Sequence, residues 1–137
     1  MKVQEVMSKK VEIISPISSL RAAARTLSNL GVGALPVVDN SKLLGIITDR
    51  DVSVHAIAIG RDPQNTEVKI VMTKDVITCY EDQALTEAAE IMEKNKIRRL
   101  AVLNRNEEIV GFLSVDDLAP VSHELAGAVL AAATAVH

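Results

Sequence analysis

Aromatic side chains are nearly missing from this sequence: it has one tyrosine, Tyr80, one phenylalanine, Phe112, and no tryptophan. A core built without them has to be aliphatic, and there is no aromatic platform on which nucleic-acid bases would stack. Strong charge of one sign is also lacking. Fifteen Lys and Arg against 18 Asp and Glu leave a formal charge of −3, with no basic run of five or more residues, which argues against a nucleic-acid surface. Cys79 is the only cysteine, so neither an internal disulfide nor a thiolate metal site can form, and a reducing compartment fits. The longest apolar run, Leu125 to Val136, has 12 residues with Thr134 inside it, too short to span a bilayer. The opening MKVQEVMSKK carries no apolar signal core. A soluble, cytoplasmic protein with no membrane and no nucleic-acid partner is expected.

What the chain does have is 137 residues, nearly half of them apolar. That is enough to bury roughly two-thirds of the surface its unfolded form exposes. It also has an internal repeat. A shift of 65 residues lays Val6, Met7, Lys9 and Val11 on Val71, Met72, Lys74 and Val76, then Leu20, Ala23, Ala24 and Leu27 on Leu85, Ala88, Ala89 and Met92. VGALPVV then falls on IRRLAVL. One extra residue in the following turn, DNSKL against NRNEEI, moves the shift to 66, and GIITDRDV lies on GFLSVDDL.

Each copy has the same order of elements. A VxxVM segment leads to a strand, VEII or VITCY, and then to a helix whose apolar residues recur at three and four. Ser18 is the expected N-cap of the first helix and Gly31 its C-cap. Two short strands follow, ALPVV and LLGII around DNSK, or LAVL and IVGFL around NRNEE. A second helix starts after Thr48 or Ser114. The expected fold is α+β, with two β-α-β-β-α repeats related by a pseudo-twofold axis, over residues 1–60 and 68–120 with a linker at 61–67. A C-terminal helix at 121–137 follows, capped by Ser122. Gly127 and Ala131 would let it approach another helix, on its own chain or a second copy.

Thr48-x-x-Asp51 and Ser114-x-x-Asp117 each read first as a capping box, the hydroxyl accepting from the third N–H of the helix and the acid reaching back to the cap N–H. A helix N-terminus also attracts phosphate. A carboxylate one turn inside is a good acceptor for the vicinal hydroxyls of a ribose, through charge-assisted hydrogen bonds of about 1.5–3 kcal/mol. Hydroxyl for phosphate and carboxylate for ribose suits a nucleotide.

The doubled pattern VGALPVVD…GIITDRDV and IRRLAVLN…GFLSVDDL, each preceded by VM and an AA-bearing helix, resembles the cystathionine β-synthase (CBS) domain over roughly residues 3 to 119. The whole chain is similar to small stand-alone tandem-CBS proteins. The resemblance implies a CBS pair (a Bateman-type module) with two clefts that take AMP, ATP or S-adenosylmethionine; Asp49 with Asp51, or Asp116 with Asp117, could hold Mg²⁺ alongside the phosphates, though first-turn acids serve the helix dipole as well. One cleft would join Thr48, Arg50 and Asp51 to Val76 and Ile77 and to Ile97 and Arg98. The other would join Ser114 and Asp117, with Arg98 and Arg99 near the phosphate, to Ile13 and Ile14 and to Val32, Gly33 and Ala34. The resemblance further implies a homodimer and a regulated partner protein whose identity the sequence does not carry.

The copies differ where it matters. Arg50 stands between hydroxyl and acid in the first motif and favours a phosphate, whereas Asp116 in the second repels one unless Arg98 and Arg99 offset it. Leu35-Pro36-Val37 becomes Leu100-Ala101-Val102. The Asp51 cleft therefore ranks ahead. His55, His123 and His137 are scattered, Cys79 lies in an apolar strand, and no nucleophile with base or metal cluster is legible. No enzyme, catalytic cofactor or metal is expected. A nucleotide-sensing regulatory module remains, and beside it a ligand-free oligomerisation or docking module with vestigial clefts.

Overall fold

Both DNSK and NRNEE close antiparallel hairpins, and the backbone shows why. Asn40 and Ser41 have φ of 51° and 66°, the two positive values that a two-residue type I′ turn needs to match the twist of its strands. They join β1 (Ala34–Asp39) to β2 (Lys42–Thr48), paired from Ala34 with Thr48 to Asp39 with Lys42. The computed structural model describes residues 1–134. It holds two compact units: Glu12–Val76, built on this hairpin, and Met1–Val11 together with the chain from Ile77 onward.

In the first of these units, helix α1 (Leu20–Leu30) buries Leu20, Ala23 and Leu27, the stripe its periodicity predicts. Its C-cap is Gly31, left-handed at φ 67°. The N-cap is Ser19 and not the expected Ser18: Ser19 accepts from the Ala22 N–H at 3.1 Å. Ser18 is spent in the preceding turn, its N–H donating to Ser15 and its carbonyl accepting from Val68.

The expected strand Val11–Ile14 contracts to a single parallel bridge, Ile14 to Val37. Ile14 donates to the Pro36 carbonyl and accepts from the Val38 N–H, both at 3.0 Å. The next pair toward Glu12 would need an N–H from Pro36, which proline lacks. Repeat 2 has Ala101 at that place, and there a true strand forms, as described below.

After β2, helix α2 (Asp49–Val52) runs on into a π-helical turn, Ser53–Ile57. A short helix α3 (Val68–Val71) buries Val68 and Val71 in the same core as Leu20 and Leu35. Directly after it, Thr73 and Ile46 exchange two backbone hydrogen bonds of 2.8 Å. Gly45 permits this approach, since a Cβ there would stand 2.6 Å from the Thr73 carbonyl oxygen.

The second unit repeats the plan with a fuller sheet. Strand β3 (Thr78–Tyr80) pairs parallel with β4 (Arg99–Leu103), which pairs antiparallel with β5 (Ile109–Ser114). Helix α4 (Leu85–Asn95) covers the sheet with Leu85, Ala88, Ala89 and Met92. Helix α5 (Val115–Leu118) follows β5. Val3, fully buried, belongs to this core, and Ser8 exchanges backbone hydrogen bonds of 2.8 and 2.9 Å with Phe112. Each VM segment thus packs in the unit formed by the other repeat's hairpin. The compact units are cut differently from the sequence repeats.

Helix α6 (His123–Thr134) lies on α4 and α5 and buries Ala126 and Val129. Ser122 caps it, accepting from Leu125 at 3.2 Å. Gly127, expected to allow close helix approach, faces open space within its own unit. The expected helical residues 135–137, His137 among them, lie outside the described residues. No helix among the described residues is long and apolar enough to cross a membrane.

Candidate functional site

The two hydroxyl-x-x-Asp motifs form the same local structure and end in different electrostatic situations. Both are capping boxes. Thr48 Oγ1 accepts from the Asp51 N–H at 2.9 Å while Asp51 Oδ2 accepts from the Thr48 N–H at 3.0 Å. Ser114 Oγ accepts from the Asp117 N–H at 3.3 Å, and Asp117 Oδ2 accepts from the Ser114 N–H at 2.9 Å and from its hydroxyl at 3.1 Å.

Asp51 goes further into its unit. It is only 5% exposed and, among the described residues, is the buried charged side chain. The Thr73 hydroxyl donates to its Oδ1 and Oδ2 at 3.1 and 3.2 Å, and His55 Nε2 lies 3.8 Å from Oδ1. Both oxygens therefore have partners from the chain itself. Arg50 and Asp49 are exposed, the Arg50 N–H donating to Asp49 Oδ1.

Asp117 is half-buried and opens onto a groove of about 520 Å³. Ser8, Arg98, Arg99, Phe112, Ser114 and Asp116 line it with Asp117, and Ala126 and Leu130 of α6 form an apolar side. Among the described residues no hydrogen bond reaches Asp117 Oδ1. The Arg99 guanidinium lies 4.8 Å from the Phe112 ring centroid, a cation–π contact that holds it at the rim. The groove offers two guanidinium groups, a carboxylate oxygen, a hydroxyl and an apolar wall.

The remaining expected residues fall as follows. The segments before β1 and β4 are tied to the motif of their own hairpin: the Asp49 N–H donates to the Gly33 carbonyl and the Val115 N–H to the Arg98 carbonyl, both at 3.0 Å. Val32 and Ala34 are half-buried beside Gly33, Ile13 is exposed, and Ile14 is buried in its bridge to Val37. Val76 ends the unit that holds Asp51. Ile77 is exposed in the other unit, where Ile97 packs against the core and Arg98 joins Arg99, Ser114 and Asp117 at the groove.

Sequence reasoning missed Thr73 and Ser8, although each is a hydroxyl directly after a VM pair. It also missed His55 as a partner of Asp51, although it stands at i+4 on the same face. Cys79 is buried, and burial pushes its thiol from 9.0 up to about 11, so it is a neutral thiol at neutral pH. Among the described residues, no three His, Cys, Asp or Glu gather closely enough to hold a metal ion.

Comparison with known proteins gives this arrangement a family. The chain is 35% identical over 130 residues to the CBS domain-containing protein YhcV of Bacillus subtilis (strain 168), covering 93% of this chain and 91% of that one. Among solved structures it resembles Hypoxic Response Protein I with two coordinated zinc ions, with a TM-score of 0.79 and 25% identity over 89% of this chain and 99% of that one. It also resembles the CBS domain pair of protein MJ0100 in complex with 5′-methylthioadenosine and S-adenosyl-L-methionine. There the TM-score is 0.69 and the identity 29%, over 88% of this chain and 98% of that one. The sequence pattern of the CBS domain matches residues 3–56 and again 67–124, and the chain belongs to the CBS domain family, as a pair of such domains.

Proposed function

We propose that the protein is a regulatory CBS pair that takes an adenosine-containing ligand of the AMP, ATP or S-adenosylmethionine class at the groove of Ser114 and Asp117. It passes the ligand's presence to a partner protein and works as a homodimer in the cytoplasm without catalysing a reaction. The observation that carries this reading is the Asp117 carboxylate, held by the cap through Oδ2 and, among the described residues, without a hydrogen bond at Oδ1, in a residue that lines a groove together with Arg98 and Arg99. A ribose diol donates to that oxygen, a phosphate or carboxylate meets the arginines, and the adenine lies on the apolar side formed with α6. The groove's volume is in the range of small-ligand sites. Asp116 opposes a highly charged phosphate chain, so Mg²⁺ would accompany ATP. The MJ0100 pair, whose structure contains two adenosine-based ligands, supports the ligand class.

Signalling requires the ligand to prefer one state of the protein, with a coupling of typically about 1–3 kcal/mol. A second reading, a docking module without ligand, has one observation in its favour: Asp51 is fully engaged as cap and internal acceptor. Thermal unfolding with AMP, ATP with Mg²⁺, or S-adenosylmethionine separates the two. One of them stabilises the protein by about 2.7 kcal/mol at a hundred times its dissociation constant, and Asp117→Ala abolishes that gain. No stabilisation by any of the three would leave the docking reading.

A further inference from the structure

Among the contacts that differ between the two repeats, one involves a motif carboxylate directly: the Thr73 hydroxyl on Asp51. From it we infer that each chain binds a single adenosine ligand, at Asp117, because Thr73 occupies the carboxylate of Asp51 from within. This inference rests on the adenosine reading above.

Thr73 and Ser8 are equivalent residues. Each follows a VM pair, and each exchanges two backbone hydrogen bonds with the residue after the hairpin glycine, Ile46 or Phe112. The backbone thus holds both residues against the strand that ends in a capping box. Thr73 uses that position: its hydroxyl bridges both oxygens of Asp51 at 3.1 and 3.2 Å, where the diol of a ribose would donate. Ser8 lines the open groove with Asp117 and, among the described residues, makes no hydrogen bond to it.

The side chains account for the divergence. Threonine is stiff at χ1, and its methyl group restricts the rotamers open to the hydroxyl, whereas serine turns freely. One helical turn past the acid, repeat 1 has His55, 3.8 Å from Asp51, and repeat 2 has apolar Val121. Asp51 is thereby covered to 5% exposure and Asp117 is left half-open. Arg50, the cation beside Asp51, is exposed, and among the described residues its side chain makes no hydrogen bond or ion pair. It recruits no anion to a carboxylate that is already shut.

Thr73 is therefore a residue that sets occupancy. Its hydroxyl stands in for the ligand's own, and a ligand at Asp51 would have to displace it.

Isothermal titration with AMP, ATP with Mg²⁺ and S-adenosylmethionine in turn, on the full chain, tests this. Wild type binds one equivalent of the preferred compound. Asp117→Asn weakens binding at least tenfold, Asp51→Asn changes it less than twofold, and Thr73→Ala gains a second, weaker equivalent. Two equivalents in wild type, a larger loss with Asp51→Asn than with Asp117→Asn, or a single equivalent in folded Thr73→Ala would overturn the inference and leave the adenosine reading standing. Binding of none of the three compounds to wild type would overturn the adenosine reading itself and this inference with it. Should Thr73→Ala not fold, the wild-type stoichiometry and the Asp117→Asn titration still decide the question.

Discussion

Gly111 and Ser8 meet backbone to backbone: a Cβ on Gly111 would stand 2.5 Å from the Ser8 carbonyl oxygen. Gly45 has the same relation to Thr73, at 2.6 Å. In neither place can a flexible side chain yield, because the obstacle is main chain.

Gly45→Ala and Gly111→Ala should each cost about 1–3 kcal/mol by overpacking. For a chain of this size that is about 3 °C in Tm per kcal/mol, read by calorimetry. Gly31 serves as the contrast. It needs its glycine for φ 67° with nothing near its Cβ, so Gly31→Ala should cost about 1–2 kcal/mol and Gly31→Asn much less. Asparagine at Gly45 or Gly111 should give no such relief. Equal tolerance at all three glycines would contradict the close approach.

Removing the two motif acids should not cost the same. Asp51→Ala deletes a cap and the charge-assisted hydrogen bond from Thr73 at a buried position, for about 2–3 kcal/mol. Asp117→Ala deletes a cap at the edge of a groove, for about 1 kcal/mol. Urea denaturation of both variants without ligand checks the order, and Asp117→Ala proving the costlier would refute the contrast in burial.

Cys79 makes stability depend on alkaline pH. Folding raises its thiol from 9.0 to about 11 through burial, so the folded state keeps its proton where the unfolded state gives it up. The contribution is complete below pH 9 and is lost as pH rises toward 11, on the order of 2 kcal/mol in total. Stability of Cys79→Ala should fall less steeply than wild type across that window. At neutral pH the native thiol should also react with alkylating reagents far more slowly than the unfolded chain.

The opposite sign holds at the acid end. Arg105 grips Asp82 with two hydrogen bonds of 2.9 Å, and this holds the Asp82 carboxyl below its ordinary 3.8. The pair's small surface contribution is present above the ordinary carboxylate range and fades as pH falls through the lowered value. Arg105 also stacks over Tyr80, 4.1 Å from the ring centroid. The stability difference between wild type and Arg105→Gln should therefore narrow on acidification without vanishing, as unfolding curves over an acid pH series would show. A gap that widens would be inconsistent with this pair.

Much of this protein is local in its causes and legible in its sequence. The helix stripe of Leu20, Ala23 and Leu27, the left-handed Gly31, the hairpin turn at Asn40-Ser41 and both capping boxes depend on residues within one turn or one hairpin of each other, and the repeat shows as a plain shift of the sequence. Even the shrinking of the strand at Ile14 has a local signature, the missing N–H of Pro36. Only the tertiary structure decided that each VM segment packs in the unit of the other repeat's hairpin. Only it decided that Thr73, 22 residues from Asp51, closes that carboxylate while Ser8 leaves Asp117 open. The sequence pattern ranks the Asp51 motif ahead because Arg50 stands beside it. The function proposed above ranks Asp117 first instead, because whether a carboxylate is free depends on which distant hydroxyl the packed backbone brings to it, and no spacing along the chain records that distance.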